Sequence, residues 1–157
     1  MRIGQGIDVH RFSDDPEREL WLGLVLVPEG PGLVGHSDAD AATHALCDAL
    51  LGAANLGDLG RHFPDSDLAY RDVSSRWLLE ATVALVRAEG LRPESADVTI
   101  VAERPKIAAY MPNMSAELSK VAGTTVSVKA TTTEGLGSIG RGEGVLASAI
   151  VLLSSDS

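Results

Sequence analysis

Asp8 and His10 stand two residues apart in a segment, 3–11, where Ile7 and Val9 alternate with them. In an extended chain, side chains at i and i+2 project from one face, so a carboxylate and an imidazole can converge there on one cation. His44 sits in an Ala- and Leu-rich stretch, with Asp40 four residues before it and Asp48 four after. Two imidazoles and a carboxylate form a common zinc set that leaves a fourth position for a substrate or water. A plainer alternative stays open: each histidine could be an ordinary surface or hydrogen-bonded side chain. Asp40 and Asp48 could be carboxylates behind a metal ligand or solvated helix surface. His36-Ser37 opens the same stretch, where free N–H groups at a helix start favour an anion; capping by Ser37 is compatible with that. Thr131-Thr132-Thr133-Glu134 runs into Gly135, Gly137, Gly140, Gly142 and Gly144. That segment is either a flexible hairpin connection or a backbone that must approach a ligand closely, flanked by hydroxyls and one carboxylate. Arg104 and Lys106 could meet a phosphate or cap a strand. Residues 57–60 and 63–67 read by composition as a turn-rich loop. Cys47 reads as a small buried apolar side chain.

These residues need elements to hold them. The Ala/Leu-rich row 37–54 reads as a helix, with Ser37 or Asp38 as its N-cap and acids in its first turn. Helical spacing of Trp77/Leu78, Ala81, Ala84/Leu85 and Ala88 predicts a second helix over 74–89, stopped by Gly90. A third covers 108–121, where Pro112 marks a kink or a late start. Strand patterns fall at 3–11, 20–27, 97–102, 125–130 and 145–153. The order β-β-α-α-β-α-β-β predicts an α+β fold: one domain over 1–157, with a mostly antiparallel or mixed sheet of four to five strands and helices on one face.

Composition bounds the function. With 157 residues, 45% hydrophobic and 22% charged, the chain can bury a core as one domain and is not disordered. Cys47 is the one cysteine, so no disulfide forms within the chain. The longest polar-free run, 20–27, is far below the ~18–20 residues of a membrane span. No secretory pattern opens the sequence, and a cytoplasmic protein is expected. A net charge of −9, from 13 basic and 22 acidic residues, argues against nucleic acid or anionic membrane as partners. An acidic protein that handles phosphates needs local devices: a metal, helix N-termini, or a few placed Lys and Arg.

Several longer motifs stand in order. They are 4–10 (GQGIDVH), 35–40 (GHSDAD), 44–54 (HALCDALLGAA), 56–60 (LGDLG), 63–65 (FPD), 104–106 (RPK), 129–134 (KATTTE) and 140–144 (GRGEG). Together they resemble the 2-C-methyl-D-erythritol 2,4-cyclodiphosphate synthase family over nearly the whole chain. The resemblance implies a phosphorus-oxygen lyase of the methylerythritol phosphate route to isoprenoid precursors. It implies cyclisation of 4-diphosphocytidyl-2-C-methyl-D-erythritol 2-phosphate with release of CMP, in a homotrimer whose active sites lie between subunits. By position it makes Asp8, His10 and His44 zinc ligands, and Glu134 the ligand of magnesium or manganese. His36 and Thr132 take the role of transition-state stabilisers. Substrate contacts are implied at Asp8, Val9 and His10, at His36 and Ser37, and at Phe63, Pro64, Asp65, Ser66 and Asp67. Asp58, Leu59 and Gly60 match the ribose contacts. Ala102, Glu103, Arg104, Pro105, Lys106, Ile107 and Ala108 match the cytosine pocket and its flanks, and Thr131, Thr132, Thr133 and Glu134 complete the set. Arg141 matches an arginine of an axial cavity, which implies an isoprenoid diphosphate there. Two departures stand out: Ser138 replaces a large apolar residue, and Leu22-Gly23-Leu24 replaces a frequent Gly-Gly pair.

Overall fold

The computed structural model describes residues 1–155. Its centre is a mixed four-stranded sheet in the order β1-β6-β4-β5, built from β1 (Arg2–Arg11), β4 (Leu91–Val101), β5 (Val126–Thr131) and β6 (Gly144–Ser155). β1 and β4 each pair antiparallel with β6, while β5 runs parallel to β4. The helices α1 (Ala41–Ala53), α3 (Ser75–Ala88) and α4 (Met111–Ala122) pack over one face of that sheet and over one another. The sheet pattern explains this. Ala96, Val98 and Ile100 of β4 and Val145, Ala147, Ala149, Val151 and Leu153 of β6 are buried, and they alternate with more exposed neighbours. A period of two puts every buried side chain on the helical side. Among the described residues no helix is long and apolar enough to cross a membrane.

β1 contributes glycines rather than large side chains to the buried face. A Cβ built on Gly4 would lie 2.0 Å from the Ala49 carbonyl oxygen, and one on Gly6 would lie 2.0 Å from that of Ala45. The alanines of α1 therefore ride directly on the backbone of β1, and α1 descends along the strand as the strand rises.

Three expectations are corrected. The first helix begins at Ala41, not near Ser37, because Asp40 is its N-cap and accepts from Thr43 N; neither Ser37 nor Asp38 caps it, and its first turn carries no acid. The run 20–27 is not one strand but the hairpin of β2 (Trp21–Leu22) and β3 (Val25–Leu26), turning at Gly23 and Leu24 with φ of 57° and 65°. The buried Asp40 carboxylate stabilises that turn by accepting from Gly23 N at 2.9 Å and Leu24 N at 2.8 Å. β4 begins at Leu91, six residues before the expected start, and passes Pro93 by a shift of register at Pro93/Ser95. Two short helices, α2 (Leu59–His62) and α5 (Gly137–Gly140), lie in segments that composition marks as turns.

Candidate metal centre

The alternation that turns Gly4 and Gly6 toward α1 turns Asp8 and His10 the same way, just past the point where Ala45 rests on the strand. His44, one residue before Ala45, meets them there. Asp8 Oδ2 lies 2.8 Å from His10 Nε2 and 3.2 Å from His44 Nδ1, and one ligand atom from each residue falls within 4.8 Å of the others. Asp8 Oδ2 and His10 Nε2 are buried, yet neither has a hydrogen-bond partner. Buried polar atoms left without partners are rare, and these two, converging with His44 Nδ1 on one point, fit a cation. The set of one carboxylate oxygen and two imidazole nitrogens suits zinc or a similar divalent ion.

Hydrogen bonds hold both rings from behind. His10 Nδ1 lies 2.7 Å from the Val34 carbonyl oxygen, which can only accept, so Nδ1 carries the proton and Nε2 faces the cluster with its lone pair. His44 Nε2 contacts Ser75 Oγ at 2.9 Å and Ser37 Oγ at 3.2 Å. Burial pushes the Asp8 carboxyl up, but the two adjacent imidazoles outweigh it and hold the group at about 2. Burial lowers His10, and the Asp8 carboxylate more than reverses this, so its pKa is raised.

The cluster forms the floor of a cavity of about 380 Å³ that Gly35, His36 and Ser37 border on one side and Leu59, Gly60, Phe63, Pro64 and Asp65 on the other. Arg18 fixes the first wall. Its guanidinium donates to three backbone carbonyls, Leu33 at 2.8 Å, Gly35 at 3.2 Å and Ser37 at 2.5 Å, and so brackets His36. Asp48 fixes the second wall by accepting from Leu59 N at 2.8 Å, while Asp58 caps α2 through Arg61 N at 2.9 Å. Burial raises the Asp48 pKa. An aromatic wedge backs this wall, with Phe63 5.4 Å from Tyr70 and 5.5 Å from Trp77 between ring centroids.

Of the residues expected in the site, Asp8, His10, His36, Ser37, His44, Leu59, Gly60, Phe63, Pro64 and Asp65 line this one cavity. Val9 points to the opposite face of β1 and is exposed. Ser66 and Asp67 lie just beyond the rim, where Asp67 caps the turn Leu68–Tyr70. The remaining residues do not line the cavity within this chain. Asp58 stands behind the second wall as the cap of α2, Arg141 closes α5, and Glu103 Oε1 accepts from Thr133 N at 3.0 Å and Gly135 N at 3.1 Å and so ties 102–108 to 131–135. Arg104 reaches the Gly142 carbonyl at 3.4 Å, Thr132 Oγ1 accepts from Glu134 N at 3.1 Å, and Arg141 pairs with Glu143 at 2.8 Å. Arg18, Asp38 and Ser75 escape sequence reasoning. Arg18 is a lone arginine in an irregular loop, and Asp38 and Ser75 are 37 positions apart with no pattern joining them.

The sequence profile of the YgbB family matches residues 1–154. The 2-C-methyl-D-erythritol 2,4-cyclodiphosphate synthase of Syntrophobacter fumaroxidans is 52% identical over 159 residues, covering 99% of each chain. Among solved structures, the bifunctional IspDF from Campylobacter jejuni superposes with a TM-score of 0.92 at 37% identity, over 98% of this chain but 42% of that longer one. A 2C-methyl-D-erythritol-2,4-cyclodiphosphate synthase in a CDP-bound form superposes with a TM-score of 0.87 at 38% identity, over 98% of this chain and 100% of that one.

Proposed function

Since the chain belongs to the YgbB family, we propose that it is a 2-C-methyl-D-erythritol 2,4-cyclodiphosphate synthase. In this reading it closes 4-diphosphocytidyl-2-C-methyl-D-erythritol 2-phosphate into the cyclic diphosphate and releases CMP, a phosphorus-oxygen lyase step of isoprenoid precursor synthesis. The observation that carries the reading is the convergence of Asp8, His10 and His44 at the floor of a cavity bordered by His36 and Ser37.

An oxygen of the 2-phosphate attacks the β-phosphorus; a P–O bond forms there, and the bond from that phosphorus to the CMP oxygen breaks. Both reacting groups belong to one molecule, so the protein supplies no nucleophile. Its task is to fold the substrate, and fixing the two ends in contact can supply ~7–11 kcal/mol of the barrier. Asp8, His10 and His44 would hold zinc, and Glu134 would hold magnesium or manganese. When bound, such ions supply Lewis-acid polarisation of phosphate oxygens and neutralise charge. His36 and the Thr132 hydroxyl donate hydrogen bonds to the phosphoryl oxygens as charge grows on them, with one well-placed donor worth ~3 kcal/mol. Asp58, Leu59 and Gly60 receive the ribose, and the segment from Ala102 to Ala108 receives the cytosine.

A homotrimer belongs to the same reading, and two observations support it. The cavity of a single chain lacks Thr131, Thr132, Thr133, Glu134 and the segment 102–108, so one substrate could touch both groups only if a second copy brought the missing one. Ile3, Ile7 and Val9 on β1 and Ile150 on β6 also leave an apolar patch on the sheet face away from the helices, where they are 47–72% exposed. Exposed patches of that kind mark interaction surfaces. An isoprenoid diphosphate on the trimer axis beside Arg141, and a cytoplasmic location, complete the proposal. Ser138 stands in the same loop as Arg141, so calorimetric titration of geranyl diphosphate into wild type and Arg141→Ala tests that site, and equal heats would remove it.

The decisive experiment incubates purified protein and the cytidylyl substrate with zinc and magnesium, and follows phosphorus resonances. Stoichiometric CMP and cyclic diphosphate are expected. Inorganic phosphate in their place would mean a phosphohydrolase.

A further inference from the structure

His44 turns Nδ1 toward Asp8 and Nε2 toward Ser75 and Ser37. A serine hydroxyl can donate or accept, so the contact with Nε2 does not by itself say which ring nitrogen bears the proton. Asp38 decides it. Its carboxylate accepts the Ser75 N–H at 2.9 Å through Oδ2 and the Ser75 hydroxyl through Oδ1. A carboxylate only accepts, so the single hydroxyl proton of Ser75 is committed to Asp38, and Ser75 Oγ has only lone pairs left for the imidazole. His44 Nε2 must therefore donate, which strips Nδ1 of its proton and aims its lone pair at the cluster. Ser37 Oγ, farther away and already accepting from Ala39 N at 3.2 Å, can share the same imidazole proton.

We propose that Asp38, acting through Ser75, is a positioning residue that sets the tautomer and ring orientation of His44 for binding a divalent cation. The proposal rests on the metal reading given above. Ser75 is fully buried, whereas Asp38 reaches it from the loop before α1, so the relay also locks the start of α3 to the ligand-bearing helix. His10 is oriented by different means, the Val34 carbonyl, so the two rings fail independently.

The test uses zinc-loaded full-length protein and measures ion retention against a competing chelator in wild type, Ser75→Ala, Asp38→Asn and the double variant. Ser75→Ala is expected to keep α3, because Ser74 remains its N-cap through Trp77 N. Each single variant should bind zinc about tenfold more weakly, in the range found when partners behind a metal-bound histidine are removed. The double variant should be no weaker than the worse single one, because the two residues act in series. In ¹⁵N-histidine-labelled, zinc-loaded wild type, His44 Nε2–H should give a slowly exchanging proton signal that exchanges faster in Ser75→Ala. Unchanged retention in Ser75→Ala, two losses that multiply, or no protected Nε2–H in wild type would each overturn the relay while leaving the metal site standing. A wild type that holds no stoichiometric ion would overturn both. Should Asp38→Asn not fold, retention and proton exchange in Ser75→Ala decide alone.

Discussion

Replacing Gly6 by alanine should disable the metal centre without touching a ligand. The added Cβ would sit 2.0 Å from the Ala45 carbonyl oxygen and 2.7 Å from Ala49 N, both backbone atoms of α1 that cannot swing aside. Ordinary contact begins near 3.5 Å, so helix and strand would have to part by about 1.5 Å. His44 is next to Ala45 on that helix, whereas Asp8 and His10 belong to the strand, so the opening runs directly between the ligands. Metal–ligand distances tolerate only about 0.2 Å. Overpacking a close-packed contact costs about 1–3 kcal/mol, and the upper end applies where backbone meets backbone. Gly6→Ala is therefore expected to lose about 3 kcal/mol in urea unfolding and to bind zinc at least tenfold more weakly in chelator competition. The control is Gly52→Ala on the exposed side of α1, where the nearest atom to a new Cβ is Gln5 O at 4.0 Å. That change should stabilise the helix by roughly 0.5–1 kcal/mol and leave zinc binding alone. Normal zinc binding in a folded Gly6→Ala protein would refute the claim that the glycine–alanine contact sets the ligand spacing.

Three further outcomes are expected. His44→Ala should abolish CMP release while gel filtration shows the wild-type oligomer, because the ring occupies a cleft and not the sheet face; near-normal turnover in a zinc-depleted variant contradicts the assignment. Ile7→Glu should place a charge in the exposed apolar patch of β1 and yield monomers by light scattering. Those monomers should keep zinc, because the three candidate ligands come from one chain, but lose turnover; an intact trimer with full activity would exclude that face as the interface. Cys47 is fully buried on α1, and burial pushes its thiol far above the usual range. Iodoacetamide at neutral pH should leave it unmodified in the native protein and label it in urea, and rapid native labelling would show that α1 opens.

The candidate metal ligands were legible because two simple periods carry them. A strand repeat of two puts Asp8 and His10 on one side, and a strongly helical row holds His44. The loops were less legible, for reasons specific to them. Ser37, Asp38 and Asp40 are all good helix caps, and only the tertiary demand of the Gly23 and Leu24 N–H groups selects Asp40. The apolar run 20–27 has no polar punctuation, so the left-handed turn in its middle leaves no trace beyond one glycine. Glu103 joins two segments thirty residues apart by bonding backbone N–H groups, which have no side-chain signature. The family resemblance implies 102–108 and 131–134 in the same site as Asp8, yet they do not line the cavity of one chain, and a sequence carries no signal of whether a second copy would supply them.

The acidity of the chain looks ill suited to the phosphate-rich substrate proposed above, and the placement of its carboxylates bears on that. Most carboxylates around the cleft are turned onto the protein itself. Asp40 accepts from Gly23, Leu24 and Thr43; Asp48 from Leu59; Asp58 from the backbone of Arg61; Asp38 from Ser75. Each such bond to backbone N–H groups spreads the negative charge over a peptide dipole and fixes one loop of the wall. Asp8 differs in facing two imidazoles, with an oxygen that no hydrogen bond occupies. The net charge therefore reports mainly how the loops are built, and the local field at the cavity floor is set by the few groups left facing inward, Asp8, His10 and His44. A cavity built to hold phosphates with a lysine and arginine patch would show basic side chains on its wall, and among the described residues none that lines this cavity is a lysine or an arginine.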